Sequence, residues 1–225
     1  MSGRRLLIVG AGETGEMAAE YFRDDTSYEV AGFAVERRWL EGAPRELMGL
    51  PVVALEDAPR GFPPNGCDAF VAVSYAHMNG ERERLCGVAE GMGYRLATYV
   101  SSHACVGAGA CVESGAMVME NGSVQRGARI GRGAFVWPGC VVSHRSEVGG
   151  FCWLAPGATV AGMSSVGCRS FLGAGCVVGD GVRIAERSLI GAGAVVTHGI
   201  DEPGCAWTGN PARKLSKATY ERFCR

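Results

Sequence analysis

The chain has 225 residues, 22 basic and 23 acidic, and a formal net charge of −1, so it has room for two modest domains and no basic field to gather nucleic acid. No apolar run approaches the roughly 18 residues that cross a bilayer, and the four-residue stretch Leu6-Leu7-Ile8-Val9 after Arg4-Arg5 is a first strand of a cytoplasmic protein, not a signal peptide. Ten cysteines with no Cys-x-x-Cys pair read as reduced thiols that serve as small hydrophobes, not as a disulfide framework.

In chain order, Leu6–Val9 leads into Gly10-Ala11-Gly12-Glu13-Thr14-Gly15 and a helix from Glu16 to Arg23 with Met17, Ala18, Tyr21 and Phe22 inward. Val30–Val35, Val52–Ala54 and Ala69–Val73 follow as strands, and residues 80–92 as a helix, which together make a small doubly wound, Rossmann-like α/β domain over residues 1–98. The glycine loop fits the dinucleotide fingerprint, with Glu36 as the acid 21 residues after Gly15. Only about one mononucleotide half precedes residue 98, so the loop predicts a nucleotide or its diphosphate on the amides of Gly12, Glu13, Thr14 and Gly15. His77, after the last of these strands, either touches that ligand or caps a helix.

From Val100 to Val196 every sixth residue is Val, Ile or Leu, and four positions later nearly every residue is small: Ala104, Ala110, Ala116 and onward to Ala194. A period of six suits neither a helix nor an alternating strand. It marks a parallel β-helix in which three hexads form one triangular coil of about 18 residues. Five to six coils stacked at about 4.8 Å give residues 99–208 a length of roughly 26 Å. The aliphatics fill the axis, and glycines just after them, such as Gly107, Gly131 and Gly149, are expected to supply torsions that other residues resist. Residues 209–225 form a tail with a short helix.

His144 stands at the third place of its hexad, between the axial Val142 and Ser146, so its ring leaves the prism. An exposed imidazole serves as a base near neutral pH, and it is also what a surface histidine without a role looks like. His103 and His198 occupy the same slot at the two ends of the prism.

The glycine loop, the hexads, Val142-Ser143-His144 with Val148-Gly149, and the closing Gly209-Asn210-Pro211-Ala212-Arg213 together resemble one family over nearly the whole length. It is the bacterial left-handed β-helix acyltransferases that act on nucleotide-linked sugars, alongside the sialic-acid O-acetyltransferases. The resemblance implies left-handed winding and homotrimers, with acetyl-CoA in a cleft between neighbouring subunits and no metal. It implies a nucleotide sugar reaching from the N-terminal domain to that cleft, and His144 as the general base. It also implies Trp153, Ala174, Ala192 and Arg213 against CoA, and Gly12, Glu13, Thr14 and Glu36 against the sugar nucleotide.

Two positions depart from the family. Many members follow the basic histidine with Asp or Glu, where this chain has Arg145, so Glu120 or Glu147 is expected to orient the ring. Trp153 stands where some members place a histidine near the thioester. A weakened base suits an amine nucleophile better than a hydroxyl. The expected activity is therefore acetylation of an amino sugar for a cell-surface polysaccharide or glycoconjugate, with O-acetylation and a non-catalytic nucleotide-sugar-binding trimer as alternatives. A metal-dependent hydratase would need about three convergent histidines, and a nicotinamide-dependent reductase would rest on the glycine loop alone.

Overall fold

The computed structural model describes residues 3–224, which divide into two compact units. The first runs through Ser74 and then takes Arg82–Ala97, while the second takes Tyr75–Glu81 and everything from Thr98. The stretch 75–81, expected in the N-terminal domain, thus belongs with the hexads.

In the first unit, β1 (Arg5–Val9), α1 (Glu13–Asp25), β2 (Glu29–Val35), α2 (Arg37–Leu40), β3 (Glu46–Leu47), β4 (Leu50–Ala54), α3 (Ala58–Gly61) and β5 (Cys67–Val71) precede α4 (Gly80–Gly91). The sheet order is β3-β4-β2-β1-β5, parallel except for the β3–β4 hairpin. Leu6, Leu7, Ile8, Phe33 and Phe70 are fully buried at its centre. The chain order reverses between β1 and β5, the place where open α/β sheets bind ligands. Helix α1 starts at Glu13, capped by Gly12, and buries Gly15, Ala18, Ala19 and Phe22. This corrects the expected inner face: the i, i+3, i+4, i+7 set begins at Gly15, and Met17 and Tyr21 fall to its half-buried flanks.

The second unit is the predicted prism. Its first face stacks the strands Tyr99–Val100, Met117–Val118, Phe135–Val136, Trp153–Leu154, Phe171–Leu172 and Leu189–Ile190, all parallel. The second face runs from Cys105–Val106 to Val195–Val196, and the third from Cys111–Val112 to Arg183–Ile184. Every partner is 18 residues away, as in Val124↔Val142↔Val160. The axial aliphatics from Val118 to Ile190 and the small residues four places on, Ser146, Ser164, Cys152 and Cys176 among them, are buried together. Burial pushes the Cys140 thiol up to about 11 and Cys176 to about 12, so both stay protonated. All ten cysteines are free.

The glycines just after the aliphatics do not supply unusual torsions, contrary to expectation. Their constraint is space: a Cβ on Gly131 would stand 2.6 Å from the amide nitrogen of Gly150 in the next coil. The left-handed torsions fall two residues later, at Gly109, Gly127 and Gly181, and on non-glycines such as Arg145, Met163 and Arg169.

After the last coil, Ala206–Thr208 extends the first face with Trp207 opposite Ile190, so the indole caps the axial core. Arg213–Lys214 pairs antiparallel with it, and α5 (Lys217–Phe223) follows. No described helix is long and apolar enough to cross a membrane.

Candidate functional site

The three corners of the prism carry different chemistry. At the second corner, between the second and third faces, each turn offers one side chain from the same slot: Ala108, Arg126, His144, Gly162, Asp180 and His198. His144 is exposed, and its backbone N–H donates to Gln125 Oε1 at 3.0 Å in the coil before. Its ring lies over Gly162 of the coil after, where a Cβ would fall 2.8 Å from Nε2 and 3.0 Å from Nδ1. Gly162 is therefore the seat of the imidazole. Arg145 leans the other way, its Cγ 3.6 Å from the place of a Cβ on Gly127. The cation expected beside the ring thus points toward the preceding coil. Gly162 and Gln125 escaped sequence reading, although counting 18 residues from His144 and from Ser143 finds them.

Neither acid expected to orient His144 shares its corner. Glu120 is half-buried in the first-corner turn after Met117–Val118. Glu147 projects from the third face between Arg129 and Ser165. There it lines a shallow groove of about 340 Å³ with Glu113, Gly149 and Cys168. The reason is arithmetic: Glu120 lies 24 residues before His144, one coil and one further hexad, which moves it to another edge.

Ala174 and Ala192 are exposed and stacked on the first corner. The column continues at the chain's end, where Val195 N–H donates to Gly209 O at 3.0 Å and Arg213 pairs with Thr208. Three of the four expected CoA contacts thus share one edge. The fourth, Trp153, requires correction: it is only 5% exposed. Its ring stands 5.3 Å from Tyr75, 5.5 Å from Phe135 and 5.1 Å from Trp137, so it is wall packing under a cover and not an open contact.

That cover comes from both ends of the unit. Tyr75 stacks on Phe223 of α5 at 5.4 Å and meets the Phe171 ring edge-on. His77, Met78 and Asn79 are all left-handed, with φ of 51°, 51° and 63°. Such residues cost about 1–2 kcal/mol each. Third-corner contacts hold them: Arg169 Nε donates to Met78 O and Nη2 to His77 O, both at 3.4 Å, while Asn79 Nδ2 donates to Arg169 O at 3.3 Å. His77 Nδ1 lies 3.2 Å from Cys224 O, which accepts only, so Nδ1 carries the proton. The ring fastens the end of α5. It does not cap a helix start, which corrects that alternative.

In the first unit, Gly10 and Gly15 are compelled by close backbone: a Cβ on Gly10 would stand 2.5 Å from Ala72 O, and one on Gly15 would collide with Gly10 O. Gly12 faces open space. Gly15 N–H and Glu16 N–H both turn back to Gly12 O, which removes Gly15 from the amides expected at a phosphate, whereas the N–H groups of Gly12, Glu13 and Thr14 find no partner among the described residues. The helix start thus has the geometry of an anion seat. Glu36, expected at the sugar nucleotide, is held by a two-pronged bond from Arg84 at 3.0 and 2.7 Å and by Arg38 at 2.7 Å. Arg84 chiefly, with Arg38, keeps its carboxyl below the usual range against the effect of burial. Much of its accepting capacity is already used. Among the described residues, no three His, Cys, Asp or Glu side chains gather as a metal site would require.

Residues 163–198 match the family model for the bacterial transferase hexapeptide (six repeats). A search of curated proteins finds no match. The acetyltransferase domain of PglB from Neisseria gonorrhoeae aligns with a TM-score of 0.84 and 27% identity, covering 95% of this chain and 100% of that one. It has also been solved in complex with acetyl coenzyme A. PerB from Caulobacter crescentus, solved with CoA and GDP-perosamine, aligns with a TM-score of 0.83 and 28% identity over 94% of this chain and 97% of its own. WeeI from Acinetobacter baumannii, 21% identical over 93% of this chain and 99% of its own, shares the fold with a TM-score of 0.79. Residues 163–198 thus carry the bacterial transferase hexapeptide pattern, and the chain is similar, along nearly its whole length, to two acetyltransferases.

Proposed function

We propose that this chain is an acetyl-CoA-dependent acetyltransferase that modifies the amine of a nucleotide-linked sugar, working in the cytoplasm as a left-handed, homotrimeric prism. The observation that carries this reading is the likeness over 94–95% of the chain, at 27–28% identity, to proteins solved with acetyl coenzyme A and with GDP-perosamine. One relative of that kind is a GDP-perosamine N-acetyl transferase, which favours nitrogen over oxygen as the acceptor.

The distribution of residues supports a trimer. His144 stands on the second corner and Ala174, Ala192 and Arg213 on the first, so base and CoA edge meet only if two copies lie side by side. The face between those corners presents half-exposed Ser123, Val141, Thr159, Val177 and Val195, whereas the third face presents Arg129, Glu147 and Arg183. A surface of small and β-branched residues packs against its own copies at low desolvation cost, and a charged one does not.

In that cleft, Ala174 and Ala192 offer no side chain beyond Cβ, leaving the edge open to the pantetheine arm, and Arg213 meets a phosphate. The amides of Gly12, Glu13 and Thr14 hold the diphosphate of the sugar nucleotide. As the sugar nitrogen attacks the thioester carbonyl carbon, His144 takes the proton that nitrogen sheds. The tetrahedral intermediate collapses, the C–S bond breaks, and the thiolate recovers that proton from the imidazolium. The products are an N-acetyl sugar and free CoA.

Thiol release from acetyl-CoA, followed across a panel of nucleotide amino sugars that includes GDP-perosamine, tests the reading. His144→Ala is expected to cut turnover about 10²–10⁴-fold with an unchanged trimer by light scattering. An intact trimer that releases no CoA with any sugar would favour a binding protein, and near-normal turnover in the variant would remove His144 as the base.

A further inference from the structure

We infer that Arg84 and Arg38, held by Glu36, bind phosphate in the nucleotide site, so that the acid of the glycine-loop fingerprint anchors them and does not accept the ribose hydroxyls. This rests on the reading that the amides of Gly12, Glu13 and Thr14 hold the diphosphate of a sugar nucleotide.

The Glu36 carboxylate accepts from Arg84 Nη1 and Nη2 at 3.0 and 2.7 Å and from Arg38 Nε and Nη2 at 3.2 and 2.7 Å. A carboxylate has about four lone-pair sites, so these bonds fill it. A ribose diol, which needs an acceptor, finds no open lone pair there. Exposure points the same way: the Glu36 side chain is 18% exposed, whereas those of Arg84 and Arg38 are 39% and 58% exposed. The acid lies underneath, and the guanidiniums face outward. One carboxylate against two guanidiniums leaves the cluster cationic. Arg37, next in the chain, differs, because Asp57 matches it at 2.6 Å.

Backbone register sets this cluster beside the glycine loop. Gly10 N–H donates to Ala34 O at 2.8 Å, and Glu36 lies two residues past Ala34 as Gly12 lies two past Gly10. On the other flank of β1, Ala72 N–H donates to Val9 O at 2.8 Å, just after β5. Arg84 belongs to α4, which follows β5, yet it reaches the acid that follows β2. Since β1 lies between β2 and β5, the Arg84–Glu36 pair spans the end of β1 from which the loop departs. Guanidinium forks match phosphoryl oxygens and stay charged. The start of α1 thus offers an anion its amides, and the cluster offers it a second wall.

The test reads binding and needs no acetyl transfer. Titration calorimetry on the full chain follows GDP, UDP, guanosine, uridine and inorganic pyrophosphate. Glu36→Gln removes the negative charge and keeps the shape, so the diphosphate that wild type binds best is expected to bind about threefold tighter, with its nucleoside unaffected. A ribose acceptor behaves oppositely, and its loss weakens nucleoside and diphosphate alike. Arg84→Gln alone strands the Glu36 charge, so it is measured in the Glu36→Gln background. There it is expected to weaken the diphosphate about tenfold, and Arg38→Gln, at the more exposed guanidinium, about threefold. Unchanged or weaker diphosphate binding in Glu36→Gln overturns the proposal, as does a Glu36→Gln/Arg84→Gln protein that binds as tightly as Glu36→Gln. Failure of the underlying reading looks different: a wild type that binds none of GDP, UDP and pyrophosphate removes the nucleotide site itself, and this role of the arginines with it.

Discussion

The second and third corners of the prism are built from the same six-residue grammar, and both place bulky residues in left-handed turns, yet they spend those side chains differently. At the third corner Phe151 lies against the Arg132 guanidinium, Arg187 pairs with Glu186, and Arg169 grips the carbonyls of His77 and Met78. At the second corner Arg145 and Met163 project outward, Met163 being 60% exposed, on either side of the His144 turn. Strain at the third corner is answered by contacts within the chain. At the second, the Arg145 and Met163 side chains make no hydrogen bond, ion pair or ring contact among the described residues, which is the pattern of a surface kept for something outside the chain.

The comparison breaks most severely if the cover over the first face is removed. Trp153→Ala, deleting the ring that Tyr75, Phe135 and Trp137 surround, is expected to destabilise the prism by about 3–5 kcal/mol in denaturant unfolding. Arg169→Ala tests the third corner itself, and the released left-handed turn at 77–79 is expected to cost about 1–2 kcal/mol and to admit rapid hydrogen exchange around Asn79. The smallest effect is of opposite sign: Arg145→Gly relieves a left-handed residue whose side chain makes no hydrogen bond or ion pair among the described residues, and it is expected to raise stability by about 1 kcal/mol. A loss in that variant would mean that Arg145, like Arg169, is held by the fold, and the contrast between corners would fail.

The prism is legible in the sequence because its period is imposed by geometry: one aliphatic per side and 18 residues per turn leave no other register for Val124, Val142 and Val160. The N-terminal sheet was legible to within a few residues for the same reason, since β1, β2 and β5 are nearly continuous apolar runs. The expectations for Glu120 and Glu147 did not survive, because proximity in a coil depends on multiples of 18, and neither acid stands at such a multiple from His144. The burial of Trp153 is not legible in the sequence, because whether a face is covered depends on segments far away in the chain, here residues 75–79 and α5.

By itself, then, the sequence determined the repeat, the axial core, the outward direction of His144 and the glycine loop, since each follows from local spacing. Only the tertiary structure decided which outward residues are free. It buried Trp153, bound His77 to Cys224, turned Arg145 away and seated His144 on Gly162. The physical reason is that the hexad dictates which side of the backbone a side chain leaves, while what it meets there is set by the coils above and below and by chain returning from elsewhere.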